Sequence, residues 1–174
     1  MRVHGKNKRR TWRKLHIGID RETQEIVALD LTFSNVHDSK MTASLVSQVK
    51  KLASITGDKG YDNKNAYDPI TLARAKAIIP PRSGAALKER EVGWGDVERN
   101  RNILENRFLG KRLWKSASGY SKRSLVETAF FRFKSQLGER MHSKKLANQI
   151  TEARIGAQII NKMTHLGMPK SYKT

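Results

Sequence analysis

The chain has 174 residues, a formal charge of +19 and a pI near 10.5, which allows one domain with short appendages and points to a polyanionic partner. It contains no cysteine, which excludes disulfides, thiolate catalysis and cysteine-based zinc sites. No apolar run approaches the roughly 18 residues of a membrane helix, and MRVHGKNKRR lacks the core of a signal peptide, so a soluble, cytoplasmic protein with no membrane partner is expected.

Residues 1–14 carry seven Lys or Arg and no acid, a composition that favours phosphate contact over packing and predicts a basic arm. Leu15, Ile17 and Ile19 then alternate with His16, Gly18 and Asp20, the period of a strand. A second β-rich run from Ile26 to Thr32 completes an antiparallel hairpin over 12–32 with its loop near RETQ. Asp38 or Ser39 can cap a helix carrying Met41, Leu45, Val46, Val49 and Leu52, expected to end near Ala53.

Ser54 to Gly57 reads as a short buried strand, followed by the polar turn DKGYDN, in which Gly60 permits a sharp bend. A short helix through Ile70 to Ala75 leads to the apolar run Ala77 to Ile79, stopped by Pro80 and Pro81. Strands alternating with helices imply a parallel element. Residues 82–119 read as helical and exposed on one face, and 120–168 as strongly helical. Two apolar stripes lie there: Leu125, Val126, Ala129, Phe130 and Phe133, then Ile150, Ile155, Ile159, Ile160 and Met163. One domain over 15–168 and a tail over 169–174 complete the division.

On a helix over 120–136, at about 100° per residue, Tyr120, Arg123, Glu127 and Lys134 share a polar stripe beside the first apolar one. A partly buried Glu among cations stays ionised and can hold a divalent cation, while the cations meet phosphate. The competing reading is an Arg123–Glu127 pair on a solvated helix. Asp58, just past the end of a strand, stands where open α/β sheets place functional residues. Together they suggest phosphodiester chemistry with hard cations held by carboxylates. Asp62 is a second ligand or a turn former, Asp20 and Asp30 read as structural, and the five histidines show no metal-ligand spacing.

The spacing of Tyr120, Arg123, Glu127 and Lys134 within GYSKRSLVETAFFRFK resembles the Tyr-Arg-Glu-Lys signature of bacterial insertion-sequence transposases of the DDE class. GDKGYD at 57–62, KRRTWRKLHIGID at 8–20, IIPPR and EARIGAQIINKM are also similar to that family, so the resemblance covers essentially the whole chain. It implies a ribonuclease H-like α/β catalytic core followed by a helical C-terminal region. Asp58 and Glu127 would be the second and third members of a triad holding two Mg2+ or Mn2+ ions. Tyr120, Arg123 and Lys134 would hold double-stranded transposon-end DNA; a homodimer is left open.

In the family the first aspartate lies on a strand upstream of the basic, tryptophan-containing segment, and neither Asp20 nor Asp30 matches it. The resemblance therefore implies an N-terminally truncated core that lacks its first strand and end-recognition region, inactive or dependent on the missing part. The alternative is a non-catalytic, sequence-independent DNA-binding protein.

Overall fold

The structure is a computed structural model that describes residues 12–167. The first 11 residues of the expected arm and the 169–174 tail lie outside the described residues. Arg13 and Lys14, also assigned to the arm, instead begin strand β1 (Arg13–Ile19). Their long stems find local partners, which is why they pack: the Arg13 guanidinium stands 4.5 Å over the Phe33 ring, and Lys14 Nζ reaches Val36 O at 2.8 Å.

β1 pairs antiparallel with β2 (Ile26–Phe33), placing Ile17 opposite Leu29 and His16 opposite Asp30. Asp20 closes the turn, its Oδ1 accepting the Glu22 and Thr23 amides at 2.8 Å each. One side of the hairpin packs on helices α4 (Leu125–Leu137) and α5 (Leu146–His165), burying Ile17, Ile26 and Leu29 with Ala129, Phe133, Ala153, Ala157 and Ile160. The other presents His16 and Asp30 towards helix α1 (Thr42–Ser47) and the turn before it.

The helix expected to run to Ala53 is shorter. A 3-10 turn, Asp38–Met41, capped by His37 rather than Asp38 or Ser39, precedes α1, which stops at Ser47. Ser and Thr supply much of this stretch and hydrogen-bond their own backbone, as Thr42 Oγ1 and Ser47 Oγ do.

Strand β3 (Ser54–Thr56), half-buried rather than buried, pairs parallel with β4 (Lys76–Ile78). Helix α2 connects them and occupies Lys64–Leu72 rather than ending at Ala75. Arg74, with φ of 55°, turns the chain out of helical geometry just beyond it. Ala66, Tyr67 and Ile70 of α2 join Ala75, Ala77 and Ile79 in a second core cluster. The strands thus form two separate two-stranded sheets among the described residues.

Residues 82–93 are not helical, contrary to the reading of 82–119. Helix α3 starts at Trp94, where Asp96 Oδ2 accepts the Gly93 amide at 3.0 Å, and runs to Ala117 with a break at Gly110 (φ 74°, ψ 157°). Its Asn102 donates to Ala77 O at 2.8 Å, and its Glu98 accepts the Ala77 amide at 3.2 Å, so α3 covers the outer edge of β4.

The second apolar stripe is also redrawn. Ile155, Ile159 and Met163 of α5 are exposed, while Ala153, Gly156, Ala157 and Ile160 are buried. Small residues bring α5 close to α4: a β-carbon at Gly156 would stand 2.5 Å from Leu137 Cδ1 and 3.3 Å from Phe133 Cζ.

Candidate active site

Parallel pairing carries β3 up to the first candidate acid. The Gly57 amide bonds Ile78 O at 3.1 Å, and the next residue, Asp58, caps a 3-10 turn over Lys59–Tyr61 by accepting the Gly60 amide on Oδ1 at 2.7 Å. A β-carbon at position 60 would meet that oxygen at 2.8 Å, so glycine lets the carboxylate fold over its own turn. Asp58 is exposed. Beneath it, the Tyr61 hydroxyl is pushed up to about 12 by burial, reinforced by the negative charges of Asp38 and Asp58. The phenol therefore stays protonated at neutral pH.

The second half of the site is built around Tyr120. The expected single helix over 120–136 is a 3-10 turn, Tyr120–Ser124, followed by α4, because Gly119 enters the turn in left-handed geometry (φ 69°). Tyr120 is held from α3: its ring lies 5.9 Å from buried Trp114, and Lys115 Nζ lies 5.6 Å above it. The turn is tied to the hairpin through Lys122 Nζ and Glu22 Oε1 at 3.3 Å.

Arg123 forms an ion pair with Glu127 one turn on. The Glu127 side chain is 61% exposed, not partly buried at the rim of the core as the stripe suggested. Its position in the first turn of α4 points it to solvent while Ala129 and Phe133 face inward. Lys134 is exposed on the last turn of α4 and pairs with Glu139 at 3.2 Å, away from the Arg123–Glu127 pair.

Desolvation raises the Tyr120 hydroxyl above its ordinary value; Arg123 opposes this, and the charges of Asp58 and Glu127 add to it. Both acids thus act on one phenol, although 69 positions separate Asp58 from Glu127 in the chain.

The other acids weighed in the sequence, Asp20, Asp30 and Asp62, have structural partners. Asp62 is buried against Arg99, its Oδ1 accepting Arg99 Nε at 2.7 Å, and Asp30 accepts Ser44 Oγ and, at 3.3 Å, Gln48 Nε2. Among the described residues no group of three His, Asp or Glu side chains stands ready to hold a metal ion. Asp58 and Glu127 offer hard oxygen donors, and Mg2+ characteristically takes one or two carboxylates and keeps several waters. Two carboxylates are oxygen donors of the kind Mg2+ takes and are too few for a fixed pair of ions.

A family model described as a transposase DDE domain matches residues 2–161. The chain belongs to this family. No solved structure matches it. Transposases of this family act on DNA and generally use divalent metals, and the chain's charge of +19 is in keeping with a DNA substrate. The mixed α/β architecture, five α-helices and two small sheets among the described residues, is consistent with such a domain. No helix of the described residues is long and apolar enough to cross a membrane.

The transposase domain also carries residues that the sequence did not single out: Trp114 and Lys115 against the Tyr120 ring, and Arg82 and Arg99 around the Asp58 turn. Asp62 could be weighed from its spacing. Arg99 and Trp114 lie 41 and 56 positions beyond Asp58, and nothing local marks them.

Proposed function

We propose that this chain is the catalytic part of an insertion-sequence transposase of the Tyr-Arg-Glu-Lys subgroup, with a ribonuclease H-like core that cleaves and joins DNA strands with divalent metal. The observation that carries this reading is the family match over residues 2–161, and the Arg123–Glu127 ion pair in the turn that begins at Tyr120 sets a cation beside a carboxylate there. Asp58 and Glu127 are the residues to hold a Mg2+ or Mn2+ ion. Such an ion, when bound, supplies charge stabilisation to the oxygens of a phosphodiester undergoing displacement.

The chain's own groups bind and orient the DNA. Tyr120 keeps its proton and donates its O–H to a phosphate oxygen. Arg123 would present its guanidinium fork to the phosphate. Lys134, farther along α4, meets the backbone as a point charge. The transposon end is the duplex that this surface receives.

Mn2+ titration followed by electron paramagnetic resonance tests the reading. The chain should bind about one weak Mn2+ ion, and both Asp58→Asn and Glu127→Gln should lose it. Arg123→Ala should keep the ion and weaken duplex binding. Nicking of supercoiled plasmid in Mn2+, above the level left in Glu127→Gln, is the matching activity. Undiminished Mn2+ binding in both acid variants would sink the assignment.

A further inference from the structure

Asp58 makes its hydrogen bond to Gly60, so its carboxylate can be no better fixed than that turn. The turn is held from outside with unusual completeness. Asp62, which ends it, has a fully buried side chain, and both oxygens are used: Oδ1 accepts Arg99 Nε at 2.7 Å, and Oδ2 accepts the Arg82 amide at 2.9 Å and Arg99 Nη2 at 3.4 Å. Arg82 then reaches back over the turn, donating from Nε to Lys59 O at 3.2 Å and from Nη2 to Gly60 O at 3.1 Å. Asn63 Nδ2 donates to the same Gly60 carbonyl at 3.0 Å.

We propose that Asp62, Arg82 and Arg99 are positioning residues that aim the Asp58 carboxylate. This rests on the proposed role of Asp58 as a metal ligand. The physical argument is one of leverage. The Lys59–Gly60 peptide gives its N–H to Asp58 Oδ1 and its carbonyl to Arg82 Nε, and the next carbonyl, Gly60 O, accepts Arg82 Nη2 and Asn63 Nδ2, so a shift of Gly60 is a shift of the carboxylate.

Surface turns with two glycines in five residues, as in GDKGY, are ordinarily pliant. Here a planar guanidinium and a buried ion pair remove that freedom, in the way that outer partners orient ligands at metal sites. Arg99 lies on α3 before its break at Gly110, and Trp114 and Lys115, which hold Tyr120, lie beyond that break.

The test is Mn2+ affinity by electron paramagnetic resonance on the whole chain, with near-ultraviolet circular dichroism checking that each variant keeps its tertiary structure. Arg82→Ala is the decisive variant, because its side chain is exposed and among the described residues bonds only carbonyls of the turn. It should weaken Mn2+ binding about tenfold or more with the fold unchanged. Arg82→Lys should restore part of the loss by regaining one donor. Arg99→Lys, which keeps the charge but loses the fork, should fall between parent and Arg82→Ala.

If folded Arg82→Ala binds Mn2+ like the parent while Asp58→Asn does not, the positioning inference is wrong and the metal site stands. If Asp58→Asn also binds like the parent, the metal site itself is wrong and the inference falls with it. Asp62→Asn is a supporting variant only, since removing one partner of a buried pair leaves the other uncompensated.

Discussion

Glu127 and Phe133 sit six positions apart on α4, and the structure gives them opposite duties. The Glu127 side chain is largely in solvent, and its pair with Arg123 is an exposed i, i+4 contact worth about 0.3–0.5 kcal/mol. Phe133 is buried against Gly156 and Leu137. Urea unfolding should therefore show Glu127→Gln within about 0.5 kcal/mol of the parent and Phe133→Ala destabilised by roughly 3–5 kcal/mol. Equal losses would make Glu127 a structural partner rather than a ligand. His16 gives a pH prediction. Its ring is buried, with Nε2 2.8 Å from Thr32 Oγ1 and Nδ1 3.5 Å from Asp38, and burial lowers its pKa below 6.5 against the opposing pull of Asp38 and Asp30, with Lys14 adding to the lowering. The unfolded chain thus binds this proton more readily than the folded one. Stability is present above pH 6.5 and is lost as pH falls through the folded value. The urea midpoint should drop between about pH 7.5 and 5.5, and His16→Gln should flatten that drop.

Helix α3 depends at its start on a residue with no side chain. A β-carbon on Gly95 would lie 2.3 Å from Asp68 Oδ1 and 2.9 Å from the Asp68 amide nitrogen, and the second contact is backbone that cannot rotate away. Gly95→Ala should therefore push α3 off α2 and cost about 1–3 kcal/mol, the usual range for overpacking. A thermal melt reads this directly. An unchanged midpoint would show that α2 and α3 can separate freely. Because Arg99 lies one turn beyond Gly95 on the same helix, the variant should also loosen the Asp58 turn and weaken Mn2+ binding.

Over the whole molecule the excess of positive charge is only partly spent on internal pairs. Between Arg99 and Arg140 stand 11 Lys or Arg and three acids, and among the described residues Lys111, Arg112 and Arg140 have no acidic partner. Duplex binding should be tight at low salt and similar for unrelated sequences. With about five phosphates neutralised, the logarithm of the binding constant should fall against the logarithm of salt with a slope near −4 to −5. A flat dependence would remove the polyanion reading. The two small sheets and two core clusters are joined by helices rather than by strand pairing, α1 packing on both β2 and α2, and the turn after α3 leading from α3 to α4.

Period and punctuation in the sequence determined the hairpin, the parallel β3–α2–β4 unit and the apolar face of α4, because alternation, turn residues and proline stops act over a few residues. The residue spacing also marked Asp58, Tyr120, Arg123 and Glu127 as candidates. Tertiary structure decided the rest. Which face of α5 is buried followed from how closely Ala153, Gly156 and Ala157 admit α4 and the hairpin, so the bulkier Ile155 and Ile159 were left outside. Whether 120–124 continues α4 was decided by Gly119 and by the seat that Trp114 and Lys115 give Tyr120. The partners of Asp62 were decided by α3 crossing over β4. These are contacts between residues tens of positions apart, and local patterning encodes what a segment can bury without naming the surface that will bury it.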